Sequence, residues 1–242
     1  MSADKNPPKL KKRSRVGELS NDIEKHPDFI KIEKFAFEKF GLAAMSHRHG
    51  VFGMQQPLPP IVKYGLTFLF VQSEFGLCCP LSMTDSLTRT LTKFGDKKLI
   101  DKFFDQLTSQ DLDHLFQGAM FMTEQHAGSD VGSIDTYAEC EDGNWFLTGD
   151  KWFCSNPDAD LAMVLARHNK KISGTKGLAL FLLPKKLENG DLNNYEIIRL
   201  KDKLGGRSFA SGEIKLNRAF AYLVGNPDEG FKQMTDMINM SR

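Results

Sequence analysis

Hydrophobic positions along this 242-residue chain change period near Gly118. From Pro27 onward Phe29, Ile32, Phe37 and Phe40 recur at three- to five-residue spacing, which gathers side chains on one face of an α-helix, and Gly41 follows the last of them. A second helical run over 60–75 stops at Gly76, and a third, from about 82 to 94, stops at Gly95. Each glycine stands where a left-handed C-terminal cap would remove the Cβ penalty. Beyond Gly118 the pattern shortens to strand-length apolar or alternating runs: 119–123, 136–140, 145–148, 161–166, 178–183, 196–200, 213–216 and 220–224. Asp142-Gly143 and Asn189-Gly190 punctuate them with residues that tolerate positive φ, as tight antiparallel turns require. Helices first and strands second predict an α+β fold whose β part is a barrel or a sandwich. Residues 227–242 return to helical spacing, with Phe231, Met234, Met237 and Ile238 on one face. No Gly, Asn or Pro terminates this last helix, and no following element is there to cover its stripe, so the pattern reads as the start of a truncated helical domain.

The expected layout is a basic connector over 1–26, a helical domain over 27–118, a β domain over 119–225 and the opening of a further helical domain over 226–242. An apolar content of 40% suffices for a substantial core. Lys and Arg number 32 against 31 Asp and Glu, which leaves no long-range field for nucleic acid or an anionic membrane. A local patch does exist: Lys5, Lys9, Lys11, Lys12, Arg13 and Arg15 face only Asp4 near the N-terminus. A solvated, mobile segment is the plain reading of that run, and a nucleic-acid or lipid contact is the other. No apolar stretch follows it, so it is not a secretory signal. The most apolar segment, 66–80, is broken by Gln72, Ser73 and Glu74, short of the roughly 18 apolar residues of a membrane span. Cys78, Cys79, Cys140 and Cys154 form no CxxC pair and have no histidine at ligand spacing, which argues against structural zinc and for reduced thiols in the cytoplasm.

Candidate chemistry concentrates in two places. In the first, Met122-Thr-Glu-Gln-His-Ala-Gly-Ser-Asp-Val131, an apolar strand runs into a loop of small and hydroxyl residues. Gly128 can turn amides toward an anion and Ser129 can add a hydroxyl, the physics of a phosphate nest, although an ordinary strand-ending turn has the same composition. The second, Lys151-Trp-Phe-Cys-Ser-Asn156, sets two aromatics beside hydroxyl and amide groups. Such a face suits a flat ring system, and it equally suits a core.

The order and spacing of three blocks, MTEQHAGSDV, LTGDKWFCSNPDADLAMVLAR and LKDKLGGRSFASGEIKLN, resemble the middle domain of acyl-CoA dehydrogenases. Together with GLCCPLSMT at 76–84 and the region around His26-Pro27, they look most like the AidB-like, alkylation-response branch. The resemblance implies a β-barrel that lies against FAD, an acyl-CoA substrate and a homo-oligomer. It also allows a non-catalytic, DNA-binding flavoprotein or an inactive remnant. Carried over residue by residue, it makes Thr123 the contact to the pyrimidine edge of the flavin, Ser129 the pyrophosphate contact, and Phe153, Cys154 and Ser155 the strand that packs on the ring. Met120, Met122 and Gly128 enter as backbone or packing contributors. In the family a Glu of the C-terminal helical domain removes the α-proton, and that domain has no counterpart here, so no catalytic residue is assigned; Glu124 and Asp130 are expected to tie down the loop. The chain departs from the wider family at Gln125 and His126, where Pro and Gly are commoner, and a left-handed backbone at His126 would be strained. Arg207 in Gly-Gly-Arg-Ser is read as a structural ion pair in preference to a phosphate contact.

Overall fold

The computed structural model describes residues 2–241 and has the expected α+β organisation. Its helical part contains the single turn α1 (Ser2–Lys5), α2 (Pro27–Lys34), α3 (Pro60–Val71), α4 (Cys78–Phe94) and α5 (Lys97–Leu107). A hairpin of β1 (Lys9–Arg13) and β2 (Leu19–Glu24) lies between α1 and α2. The remaining strands are β3 (Gly118–Phe121), β4 (Tyr137–Glu141), β5 (Asn144–Ser155), β6 (Leu161–Arg167), β7 (Leu178–Pro184), β8 (Tyr195–Leu200) and β9 (Ser211–Val224).

β3, β5, β9, β7 and β6 pair in that order, and β6 returns to β3 in parallel, so a ring of five strands closes on itself. β4 bridges β5 and β6, and β8 lies along β9. Closure satisfies backbone groups that an open sheet would leave at its edges. Alternation along each strand divides the apolar residues between two cores. Ala119, Phe121, Val164, Phe181 and Leu183 fill the barrel, while Met163, Leu165, Leu180 and Leu182 face outward against α4 and α5. Burial on both faces is why β6 and β7 read as unbroken apolar runs.

Several elements differ from the sequence reading. Residues 9–24 of the basic segment are not a mobile connector but a hairpin whose Leu10 and Ile23 pack on the barrel core. The side chain of Asn21 fastens it: the amide donates to the Tyr195 carbonyl at 2.9 Å and its oxygen accepts from the Ile197 N–H at 3.0 Å. Lys11 and Lys12 are paired with Glu24 and Glu196, each at 3.1 Å, which draws down the basic patch. Of the three helix-ending glycines only Gly41 is left-handed, at φ 54°. Gly95 is extended, and a Cβ there would stand 2.6 Å from the Leu91 carbonyl oxygen, so close packing rather than handedness requires glycine. The runs at 213–216 and 220–224 belong to one strand, β9, joined through a bulge at Arg218 with φ 54°. Finally, the apolar stripe of α6 (Gly230–Ser241) does have a partner. Met234 and Met237 are buried with Leu87 and Leu91 of α4 and Leu178 and Leu180 of β7, all earlier in the chain. None of the described helices is long and apolar enough to cross a membrane, and no disulfide joins the four cysteines.

Candidate functional site

The two segments singled out in the sequence are bonded neighbours. Met120 of β3 pairs with Ser155 of β5, and the Trp152 N–H donates to the Thr123 carbonyl at 2.9 Å. The start of the small-residue loop therefore lies directly beside the aromatic strand. Strand alternation then sorts the side chains. Cys154 points into the barrel and is buried, which pushes its thiol pKa up and leaves only its backbone for a ligand. Phe153 points the other way and keeps 50% of its surface exposed, with Ser155 half-buried beyond it. The face of Trp152 is already covered by the Lys201 ammonium, 3.3 Å from the ring centroid, while that ammonium is held by Glu213 at 2.6 Å. Phe153, whose ring centroid stands 5.0 Å from the same ammonium, is the more exposed of the two aromatics and keeps half of its surface open to a flat ring.

Thr123 is half-buried at the loop entrance, and Gly128 and Ser129 are exposed. Gly128 does not use left-handed backbone; nothing lies within 4 Å of where its Cβ would be, so its contribution is open space for close approach. Met120 and Met122 pack toward the core shared with α4 and α5, which assigns their side chains to packing. His126 is exposed, has no left-handed backbone, and sets Nε2 3.0 Å from an Asp135 carboxylate oxygen, so the strain considered from sequence is not present. Arg207 pairs with Asp202 at 3.5 Å, and its backbone N–H donates to Asp4 at 2.7 Å.

Beneath the loop lies an ion pair that the sequence did not reveal. Glu124 is buried and accepts the Lys151 ammonium at 2.8 Å, the Asp135 N–H at 2.8 Å and the Thr136 N–H at 3.1 Å. Burial pushes its carboxyl pKa up, but Lys151 and these hydrogen bonds outweigh burial and hold it below the usual carboxylate range. The Asp130 carboxylate accepts from the Ser133 hydroxyl, and its backbone carbonyl accepts the Ser133 N–H at 3.1 Å, within the same loop. Both carboxylates are therefore occupied in shaping the loop. Asn156, whose amide closes the aromatic motif, has a structural task instead: it sits at φ 55° and donates from its side chain to Gln117 and to the Gly118 carbonyl, both at 3.2 Å, tying the end of β5 to the start of β3. An Asn-Pro dipeptide after a strand was the available signal, since Asn tolerates the left-handed region.

The candidate face is open surface. Cavities of about 670 and 830 Å³ lie instead beside α5, sharing Lys102, Glu188 and Tyr222, and neither is lined by Thr123, Ser129 or Phe153. No cluster of metal-ligating side chains occurs among the described residues. An exposed phenyl ring and the hydroxyls of Thr123 and Ser155 on one hydrogen-bonded corner, followed by a loop with exposed Ser129 and an unobstructed Gly128, suit an isoalloxazine and its diphosphate better than a core.

Residues 1–114 match the family described as "Adaptive response protein AidB N-terminal domain", and residues 119–219 match "Acyl-CoA dehydrogenase, middle domain". The chain is 32% identical to the "Putative acyl-CoA dehydrogenase AidB" of Escherichia coli over 99% of its own length and 44% of the relative's. It is 36% identical to "Acyl-CoA dehydrogenase family member 11" of Caenorhabditis elegans, over 78% of this chain and 33% of that one. The crystal structure of Caenorhabditis elegans ACDH-11 in complex with C11-CoA superposes with a TM-score of 0.86 at 30% identity, covering 99% of this chain and 41% of that one. The chain thus spans less than half the length of these relatives. With both halves matched in order and the barrel closed as described, the chain belongs to the acyl-CoA dehydrogenase family, in its AidB-like branch.

Proposed function

We propose that this chain forms the flavin-facing part of an FAD-dependent acyl-CoA dehydrogenase, acting on acyl-CoA thioesters within a homo-oligomer. The observation that carries the reading is the hydrogen-bonded corner where Thr123 meets the strand bearing Phe153 and Ser155. Phe153 would lie against the ring, Ser155 and Thr123 would direct hydroxyls at its polar edge, and Ser129 with the open backbone at Gly128 would meet the diphosphate. Cys154 would contribute through its backbone. When bound, FAD supplies the hydride acceptor for α,β-dehydrogenation; donors at the pyrimidine edge favour the reduced anion. The relative seen with C11-CoA supports a thioester substrate. We assign no base among the loop carboxylates, because Glu124 is bonded to Lys151 and two amides and Asp130 to Ser133. The DNA-binding alternative would have to use the basic hairpin, where Lys11 and Lys12 already face carboxylates.

The chain purified in the presence of FAD is expected to be yellow. Anaerobic addition of an acyl-CoA series then separates binding from turnover: bleaching of the visible band supports dehydrogenation, and a yellow chain that never bleaches supports a flavin site without its base. A colourless chain that takes up no FAD contradicts the proposal.

A further inference from the structure

Lys151 has 0% side-chain exposure, on a strand whose next two residues, Trp152 and Phe153, reach the surface. Its ammonium makes two bonds, to Glu124 at 2.8 Å and to the Met122 carbonyl at 3.3 Å. These flank Thr123 in the chain, and Thr123 itself accepts the N–H of Trp152, the residue after Lys151. Glu124 carries the connection onward, because its other bonds go to the amides of Asp135 and Thr136, on the far side of the loop. One lysine and one glutamate therefore join the loop entrance, the loop exit and the aromatic strand.

Buried ion pairs are weak devices for stability, since desolvation cancels much of the attraction and apolar replacements often serve as well. What such a pair does provide is fixed geometry, because a carboxylate with three donors and an ammonium with two acceptors have few alternative arrangements. Resting on the flavin reading above, we infer that Lys151 and Glu124 form a buried clamp that presets the loop over 123–130 against β5 for the diphosphate and the ring. Lys151 is then a positioning residue, acting on the ligand through Thr123 and Phe153 rather than touching it.

The test uses the full chain with FAD as the probe. In E124Q/K151M both charges go together, so no unpaired charge is left buried. The two amides bonded by Glu124, at Asp135 and Thr136, are expected to lose hydrogen-exchange protection, and FAD affinity is expected to fall by about tenfold or more, as for residues that orient ligand-contacting neighbours. E124D, which keeps the charge but withdraws the carboxylate, serves if the double variant does not fold and is expected to move both readouts the same way. The remote pair variant R89M/D236N, at the α4 and α6 contact, is expected to lower the melting temperature without changing FAD affinity. Unchanged protection at Asp135 and Thr136 overturns the clamp, and so does lost protection with full FAD affinity. A wild-type chain that binds no FAD overturns the flavin reading, and the exchange result alone then decides whether the loop is clamped.

Discussion

Phe153 and Phe181 are the same residue type in opposite roles, and strand direction decides which is which. Phe181 lies inside the barrel with no exposed surface, its ring 5.3 Å from that of Trp145. Replacing it with alanine removes a packed ring from a site that cannot collapse, and urea unfolding of Phe181→Ala is expected to show a loss of about 3–5 kcal/mol. A loss under about 1 kcal/mol, the size typical of surface changes, would contradict the barrel interior described above. The loop and strand around Phe153 were legible in the sequence through the resemblance of their motifs, which supplied Thr123, Ser129, Phe153 and Ser155. Cys154 shows the limit of that reading: adjacency in sequence put it in the set, while alternation turns its thiol into the core. Lys151 and Asn156 stand inside the motif over 151–156, but their roles are not legible there because they depend on distant partners. A lysine in a strand reads as solvent-facing until its carboxylate, 27 positions earlier, is seen beside it.

Among the elements, α5 was not singled out from sequence even though it has an explicit start signal. Asp96 accepts the Leu99 N–H at 2.8 Å, and Leu99, Phe103 and Leu107 follow at i, i+4 and i+8 as its buried face. In one dimension Gly95 signals only a helix end, whereas in the fold it closes α4 and α5 begins two residues later. Asp96→Ala removes the cap and is expected to cost about 1 kcal/mol, measurable as a shift in the denaturant midpoint with an unchanged slope. A neutral result would mean that packing of Leu99 and Phe103 alone holds the helix start. β9 escaped for another reason. Its apolar alternation fails at Asn217 and Arg218, and a bulge that keeps the strand running looks, in one dimension, like a turn between two strands. Fold class and most strands could be read from periodicity; closure of the barrel could not, since the parallel pairing of β3 with β6 joins segments more than forty positions apart.

At the scale of the whole molecule, near-cancelling charge makes the distribution of paired carboxylates the main source of pH dependence. Glu124 is held below its unfolded pKa, and so is Asp236, where burial works against the Arg89 and Lys93 contacts that prevail. Groups of this kind contribute fully above the unfolded carboxylate pKa of about 4.3 and lose their contribution as pH falls through the lower folded value. The melting temperature is therefore expected to hold steady from neutral pH to about 5 and to drop below about 4, with a shallower drop in E124Q/K151M. An equally steep acid loss in that variant would show that the pair is not part of the response. The outer surface of α3 is the other large-scale feature: Ile61, Phe68 and Leu69 are mostly exposed along it, an apolar patch of a kind that marks contact surfaces.

Whether the corner of Thr123 and Phe153 holds a flavin is read out by an FAD titration followed through the visible absorption and fluorescence of the cofactor. The wild-type chain is expected to bind one FAD per chain, with Thr123→Ala and Phe153→Ala each weakening binding by about tenfold at unchanged melting temperature, the loss of roughly one good contact. No uptake by the wild-type chain, or uptake that both substitutions leave untouched, would contradict a flavin at this corner.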